Sequence, residues 1–235
     1  MASETVIYAI GDVHGEADKL ADLHAAIFAR HAQDHEGTPL KLIHVGDYID
    51  RGPDSFAVID TLMRLEERDD IETINLLGNH EQMMLDAYEE DGTDARLHWL
   101  MNGGDATLES YGRRGHEDLP DPHLSWVKNL PTLHLEEDRR LAFVHAGVDP
   151  ATFPHCDRRI HLWTRSQRFF NPARWDVGAL KGWKVIHGHT PTHNFQPQTA
   201  GTPPRRFNLD TGAVYGGVLT AGVFTPDGEV DYISV

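Results

Sequence analysis

Five short segments of the sequence combine acidic, amide or imidazole side chains with glycine or alanine, and each follows an apolar run. The small residues let the backbone turn tightly, whereas Asp, Asn and His can bind metal ions or move protons. Any one segment alone would be typical of a turn, but five in succession favour a functional site. In chain order they are Gly11-Asp12-Val13-His14-Gly15, Gly46-Asp47-Tyr48-Ile49-Asp50-Arg51-Gly52, Gly78-Asn79-His80-Glu81, His145-Ala146-Gly147 and His187-Gly188-His189-Thr190.

These segments supply six candidate metal ligands, enough for two ions that share a bridging carboxylate. Carboxylate, amide and imidazole groups suit divalent first-row metals, and the single cysteine, Cys156, argues against a structural zinc site. Only two of the six are carboxylates, so with two divalent ions the site should be electropositive and should attract an anion. The candidates are Asp12, His14, Asp47, Asn79, His145 and His189.

Two arginines could hold the oxygens of such an anion. Arg51 belongs to the second segment, and Arg165 follows Leu162-Trp163-Thr164. A planar guanidinium binds two phosphate oxygens at once, which an ammonium group does not do. A two-ion site beside two arginines predicts the hydrolysis of phosphate esters.

The pattern of apolar residues predicts the elements that position these segments. Three strands are predicted at Thr5–Ile10, Leu40–Val45 and Ile71–Leu77, each ending at a glycine. Helical periods predict helices from Glu16 to about His35, from Pro53 onward, and from Glu81 to about Glu90. Successive strand–loop–helix units imply parallel strands with helical crossovers.

The second half of the chain is less regular. Helical pieces interrupted by glycines predict an insert or cap at about 91–131. Further strands are predicted at Leu133–Leu135, Leu141–Val144 and Lys184–Ile186, followed by a proline-rich loop at Thr190–Pro204. The tail predicts antiparallel strands at Phe207–Leu209, Gly217–Ala221 and Val230–Val235. We therefore predict one α/β domain over residues 1–235, with active loops at the C-terminal ends of the strands.

Composition excludes several classes of function. The 37 acidic and 21 basic residues give a net charge of −16, which disfavours stable binding to nucleic acid and hence a nuclease. No apolar run approaches the roughly 18 residues of a membrane helix, and Met1–Thr5 lacks the features of a secretory signal. With one cysteine, the chain is expected to be cytoplasmic and not associated with a membrane.

The segments GDVHG, GDYIDRG and GNHE, followed by HAG and HGHT, resemble the phosphoprotein phosphatase family of calcineurin-like metallophosphoesterases. The likeness extends from Ile10 to about Gly217 and is specific because five motifs occur in order. It is nearest to the compact bacterial and phage-type serine/threonine phosphatases and to the symmetrical diadenosine tetraphosphatases. It implies an α-β-β-α fold, a β-sandwich flanked by helices, with the metal site at strand C-terminal ends.

The resemblance also implies individual roles. Asp12 and His14 would bind the first ion and Asp47 would bridge both. His80 would protonate the leaving alkoxide, with Asp50 orienting its imidazole. The remaining implied roles are Asn79, His145 and His189 on the second ion, phosphate binding by Arg51, Arg165, Asn79 and His80, and support of the loop by Glu81.

The implied reaction is hydrolysis of phosphomonoesters by direct attack of a hydroxide that bridges two divalent ions. Manganese is preferred as the metal, with iron or zinc as alternatives. Phosphoserine or phosphothreonine on proteins is the preferred substrate, and a symmetrical dinucleoside tetraphosphate is the alternative. For that nucleotide, the insert offers residues that could stack on a base and hold phosphates, or could equally be packing residues: Trp99, Tyr111, Arg113 and Arg114.

Three points stay open at this level. A catalytically inactive scaffold or binding module is the alternative of another class, although every candidate ligand is present. His187 could be a metal ligand, but the register of the motif favours His189 and makes His187 a pocket-lining or core residue. Asp210 could hydrogen-bond a ligand histidine or could be an ordinary turn carboxylate.

Overall fold

The computed structural model describes residues 4–89, 93–175 and 178–235, and these contain two five-stranded sheets. In chain order the strands are β1 (Val6–Ile10), β2 (Leu40–His44), β3 (Glu72–Asn75), β4 (Leu133–Glu136), β5 (Leu141–Val144), β6 (Lys184–His187), β7 (Gln198–Ala200), β8 (Arg206–Asn208), β9 (Thr220–Phe224) and β10 (Val230–Ser234). The order is β10-β9-β1-β2-β3 in the first sheet and β4-β5-β6-β8-β7 in the second.

The helices of the described ranges cover the two sheets. They are α1 (Ala17–Asp34), α2 (Ser55–Glu66), α3 (Asn79–Glu89), α4 (Thr93–Trp99), α5 (Asp105–Gly112), α6 (Asp121–Lys128), α7 (Arg158–Trp163) and α8 (Gln167–Phe170). A π-helical turn at Leu100–Gly104 joins α4 to α5. Helices α4 to α6 lie in the predicted insert, whose first residues, 91 and 92, are outside the described ranges, as is Glu90. None of the helices described here combines the length and apolar character that a membrane crossing requires.

The predicted parallel core of the first sheet is confirmed. β1 pairs with β2 in parallel, with Val6 opposite Leu40, and β2 pairs in parallel with β3. α1 and α2 are the crossovers. β9 and β10 extend the other edge of this sheet with antiparallel pairing.

The apolar core lies in three layers, which explains why the strands are apolar on both faces. In β1, Val6, Tyr8 and Ile10 pack with the helices, whereas the alternate residues Ile7 and Ala9 face the second sheet. In β5, Leu141 and Phe143 face the first sheet, and Ala142 and Val144 pack in the outer cluster with Trp175. The predicted α-β-β-α sandwich is therefore confirmed.

Two helices begin elsewhere than predicted. α2 starts at Ser55, not Pro53, because the Asp54 carboxylate accepts a hydrogen bond from the Ala57 amide at 3.1 Å and caps the helix. α3 starts at Asn79, two residues earlier than predicted. Asn79 and His80 therefore stand on the first turn of a helix rather than on a loop.

The tail differs from the prediction at β9, which is Thr220–Phe224 rather than Gly217–Ala221, and in the pairing of β8. β8 belongs to the second sheet and pairs in parallel with β6, Ile186 lying opposite Phe207. Its antiparallel partner is β7, which lies within the segment predicted as a loop. β7 is short, on the sheet edge and largely exposed, so it carries no apolar pattern by which the sequence could reveal it.

Candidate metal centre

The five motifs converge at the C-terminal ends of β1, β2, β3, β5 and β6. Backbone and side-chain hydrogen bonds join their loops: the amides of Val13 and His14 donate to the Asp47 carbonyl. Across the sandwich, the His189 amide donates to the Asp12 carboxylate at 2.9 Å. The two sheets thus present their loops to a common site.

Glu81 holds the loop after β2 against the start of α3. Its buried carboxylate accepts the backbone N–H groups of Asp47 at 2.9 Å, Tyr48 at 2.7 Å and Gly78 at 2.9 Å. Burial, followed by the charge of Asp47, raises the pKa of Glu81 to about 8, while these N–H donors favour the ionised form. The predicted supporting role of Glu81 agrees with these contacts.

Asp47 is the common member of two buried groups of ligand atoms. The atoms of His14, Asp47 and His80 lie within 4.8 Å of one another, as do those of Asp47, His145 and His189. Asn79 joins the second group, since its Oδ1 lies 2.9 Å from His145 Nε2 and 2.7 Å from His189 Nδ1. Asp12 lies outside both groups but lines the same cavity. This donor set fits two divalent cations that share one carboxylate.

The imidazoles are held in forms that can bind a cation. The His14 Nδ1 donates to the Ile49 carbonyl at 2.9 Å and the His145 Nδ1 to the Val45 carbonyl at 3.0 Å, so in the neutral form of each ring Nε2 is the unprotonated nitrogen. Burial lowers the pKa of His14 to about 3 and that of His189 to about 2, so both stay neutral. For His145, burial lowers the pKa, but the Asp47 charge outweighs it and the pKa is raised.

Three carboxylates are crowded into the floor of this site. Burial, Asp210 and then Asp47 raise the pKa of Asp12 well above its usual value, whereas the histidines around Asp47 outweigh its burial and hold its pKa well below. Asp210 accepts the Gly212 amide at 3.1 Å, the turn role considered for it, and burial raises its pKa to about 6. Bound cations would relieve this repulsion, so the residues present fit the metal.

His80 and Asp50 form a buried pair beside the ligand groups. The His80 Nδ1 donates to the Asp50 Oδ2 at 2.7 Å, and the His80 Nε2 accepts from Arg51 Nη2 at 2.7 Å. Burial lowers the pKa of His80 to about 4 and raises that of Asp50 to about 8, although hydrogen bonds from Thr107 and Trp99 lower the latter. His80 and Arg51 both line the cavity, so the Nε2 that bonds to Arg51 is the His80 nitrogen on the cavity side.

A cavity of about 210 Å³ opens above the ligand groups and is lined by most of the predicted residues. Arg51 and Arg165 contribute to its wall, and the Arg165 Nη2 donates to the His189 carbonyl at 3.3 Å. His145 and Asp50 are fully buried behind the lining. The predicted residues on the cavity are Asp12, His14, Asp47, Arg51, Asn79, His80, Arg165 and His189.

Several alternatives considered for other residues are now decided. His187 is a core histidine: it is fully buried, packs against Phe169 and accepts from Arg206 at 3.0 Å. Trp99 and Tyr111 are fully buried, so neither offers a ring face on which a base could stack. Arg113 and Arg114 are bonded to the Pro53 carbonyl and the Asp54 carboxylate respectively.

Some cavity residues were missed by sequence analysis. Asn102 comes from the π-helical turn, and the partly exposed aromatics Trp163 and Tyr215 stand at the rim. The Tyr215 ring lies 5.7 Å from the Arg51 guanidinium. Trp163 adjoins Arg165 in the sequence and could have been suspected, whereas Tyr215 lies in a glycine-rich turn with no such signal.

Comparisons with known proteins find relatives that match most of this chain. Serine/threonine-protein phosphatase 1 of Salmonella typhimurium is 30% identical over 91% of this chain and 89% of its own length. The asymmetrical bis(5′-nucleosyl)-tetraphosphatase of Halalkalibacterium halodurans is 26% identical over 96% of this chain and 92% of its own. A serine/threonine phosphatase structure from Saccharomyces cerevisiae shares the fold, with 15% identity and a TM-score of 0.62 over 99% of this chain and 80% of that one.

The sequence profile of one family covers nearly the whole chain. It matches residues 5–233, which include all five motifs and the strands that carry them. On this match, and on the full-length relative at 30% identity, the chain belongs to the family of calcineurin-like phosphoesterases.

Proposed function

We propose that this phosphoesterase removes phosphate from phosphoserine and phosphothreonine in proteins. The observation that carries the proposal is the cavity in which a buried carboxylate–imidazole floor meets two arginines and the His80–Asp50 pair. The phosphatase of Salmonella typhimurium, which matches over most of both chains, supports the same choice.

We assign the metal ligands as the resemblance to the family implies, with Asp47, the common member of both groups of ligand atoms, shared by the two ions. Asp12, His14 and Asp47 would hold one ion, and Asp47 with Asn79, His145 and His189 would hold the other. When bound, two divalent ions polarise phosphoryl oxygens and bring the pKa of water near neutrality. Manganese is our first choice of metal, with iron and zinc as alternatives. Half of the six proposed ligands bind through oxygen, which suits manganese, and none is a thiolate, the ligand that favours zinc.

The protein's own groups bind the substrate and move the proton. Arg51 and Arg165 would donate to the phosphate oxygens, since both guanidinium groups line the cavity. To act as the acid, His80 would carry protons on both ring nitrogens: Asp50 would hold the Nδ1 proton at 2.7 Å, and the Nε2 proton would pass to the leaving oxygen and leave the imidazole neutral. A serine or threonine alkoxide is a poor leaving group, so this proton is needed.

A second candidate is the hydrolysis of dinucleoside tetraphosphates. The exposed rings of Trp163 and Tyr215 at the cavity rim could each stack on a base. The full-length relative from Halalkalibacterium halodurans carries such an activity in its name.

A substrate panel on the manganese-supplemented protein would decide between these functions. It compares a phosphoserine peptide, a phosphotyrosine peptide and diadenosine tetraphosphate, with a chelator as the control. Faster turnover of the phosphoserine peptide supports the proposal, and preference for the dinucleotide replaces it with the second candidate. The dinucleotide products then distinguish symmetrical from asymmetrical cleavage. No turnover by protein with metal bound would favour the scaffold alternative.

A further inference from the structure

The carboxylate of Asp50 is fully buried and is contacted by hydrogen-bond donors on two sides. His80 occupies one side, as described above. On the other side the Trp99 Nε1 donates to Oδ1 at 3.0 Å and lies 3.1 Å from Oδ2, and the Thr107 hydroxyl donates to Oδ1 at 2.7 Å. Neither Trp99 nor Thr107 belongs to the five motifs, and both are fully buried.

Both donors come from the helices after α3. Trp99 is the last residue of α4 and Thr107 lies in α5, with the π-helical turn between them. Gly103 in that turn accepts the Arg51 amide at 3.1 Å. The segment therefore contacts the side chain of Asp50 and the backbone of the next residue.

These contacts fix both the backbone and the side chain of Asp50. The Thr107 hydroxyl accepts the Asp50 amide at 2.9 Å while it donates to the carboxylate of the same residue. Asp50 has a φ of +73°, a conformation that non-glycine residues adopt only when their surroundings hold them. With Oδ1 occupied by two donors, Oδ2 is directed to His80 Nδ1.

The direction of Asp50 decides which nitrogen of His80 can serve the cavity. A proton held on Nδ1 by Asp50 leaves Nε2 as the nitrogen that exchanges a proton with the substrate. Loss of either outer donor would let the carboxylate rotate and weaken this hold, without removing any group that touches phosphate.

We propose that Trp99 and Thr107 are positioning residues for phosphoester hydrolysis, acting through Asp50 on the His80 imidazole. The inference rests on the role proposed above for His80 as the proton donor to the leaving group. Trp99 and Thr107 lie in the segment predicted as an insert at about 91–131. That segment would therefore support the reaction through Asp50 rather than by stacking on a base.

The test is a leaving-group series with Trp99→Phe and Thr107→Val, each of which removes one donor to the Asp50 carboxylate and keeps most of the shape. Thr107→Val also removes an acceptor of the Asp50 amide, for which the Ser55 hydroxyl at 3.1 Å remains. Substituted phenyl phosphates are used, from phenyl phosphate, whose phenol has a pKa near the 10 of tyrosine, to dinitrophenyl phosphate, whose leaving group needs no proton. We expect kcat for phenyl phosphate to fall by about tenfold or more. For dinitrophenyl phosphate we expect a change of less than about twofold, with inhibition by inorganic phosphate unchanged.

Matched controls remove comparable groups elsewhere. Trp175→Phe removes a buried indole N–H that bonds to the Phe169 carbonyl, and Tyr111→Phe removes a buried hydroxyl of α5 that bonds to His123. Neither should change the dependence on the leaving group. Thr107→Ser keeps the hydroxyl and should retain most of the phenyl phosphate activity. If Trp99→Phe does not fold, the comparison of Thr107→Ser with Thr107→Val decides the inference.

Equal losses with both esters, or a loss in Thr107→Ser as large as in Thr107→Val, would show a purely structural role and overturn the inference. So would a folded Thr107→Val protein with unchanged phenyl phosphate turnover, or a metal-loaded wild-type protein that hydrolyses no ester. Failure of the phosphoserine peptide alone contradicts the proposed substrate and leaves the aryl series able to decide the inference.

Discussion

Asp47 and His80 are neighbours whose side chains are proposed to do different work. The His80 amide donates to Asp47 Oδ1 at 3.0 Å, yet only Asp47 belongs to both groups of candidate ligands. Asp47→Asn removes the shared charge and should abolish activity together with metal binding. His80→Asn should lower kcat for a phosphoserine peptide by about 10²–10⁴-fold, the usual contribution of a general acid.

Metal analysis of the purified variants separates the two roles. His80→Asn should keep about two ions per chain, because a two-metal site whose bridging carboxylate is intact still binds both ions. If both variants lost metal to the same extent, His80 would have to be counted among the ligands and the division of roles would be wrong.

At the scale of elements, the π-helical turn fits closely against the Arg51 loop. Gly103 has a φ of +104°, and a Cβ placed there would lie 2.7 Å from Arg51 Cγ and 2.9 Å from the Arg51 amide nitrogen. Gly103→Ala should therefore lower the free energy of unfolding by more than about 1 kcal/mol and weaken inhibition by inorganic phosphate, because Arg51 must move.

Gly112 provides the matched comparison for Gly103. It lies in α5, its φ is not in the left-handed region, and a Cβ there would meet nothing within 4 Å. Gly112→Ala should raise the free energy of unfolding by about 0.4–1 kcal/mol and leave phosphate inhibition unchanged. Urea denaturation and phosphate titration measure both effects, and a Gly103→Ala protein as stable as Gly112→Ala would refute the close fit.

The elements also show what the sequence could and could not reveal. The convergence of the candidate ligands was predictable because each follows an apolar strand, and parallel strands bring such residues to one edge of a sheet. The two donors to Asp50 could not be predicted, because Trp99 and Thr107 lie about 50 positions further along the chain and look like ordinary packing residues of helices. β7 escaped prediction for a related reason, since an exposed edge strand of three residues carries no apolar alternation.

At the scale of the whole molecule, a buried histidine pair links α1 to β2 and makes stability depend on pH. The Nε2 atoms of His24 and His44 lie 2.9 Å apart, and His44 is fully buried. Burial lowers the pKa of His24 to about 4 and that of His44 well below its usual value. In the unfolded chain these two histidines have pKa values near 6.5. Below about pH 6.5 the unfolded chain therefore binds more protons than the folded chain.

The free energy of unfolding should therefore fall as the pH drops below about 6.5, by about 1.4 kcal/mol per pH unit for each histidine, until the folded pKa is reached. Urea denaturation between about pH 7.5 and pH 5 measures the slope. His24→Gln keeps a polar partner for His44 but does not titrate, so its slope should be smaller than that of the wild type. Equal slopes would show that other groups, such as the ligand histidines, dominate acid sensitivity.

The molecule carries a net charge of −16, whereas the wall of its cavity carries two arginines. A substrate must cross the field of the whole surface before Arg51 and Arg165 can bind its phosphate. On the proposed function, a phosphoserine peptide flanked by lysines should therefore have a kcat/KM on the order of tenfold higher than the same peptide flanked by glutamates at low salt.

Salt distinguishes this long-range effect from direct recognition. Because the Debye length falls from about 30 Å at 0.01 M to about 3 Å at 1 M, the preference for the basic peptide should decline towards unity across that range. The steady-state kcat/KM of both peptides is measured at each ionic strength, with catalysis of dinitrophenyl phosphate as the reference for general salt effects. A preference for the basic peptide that persists at high salt would indicate direct contacts between its lysines and acidic residues at the cavity rim. A preference for the acidic peptide at low salt would show that the local field of the arginines outweighs the net charge of the molecule.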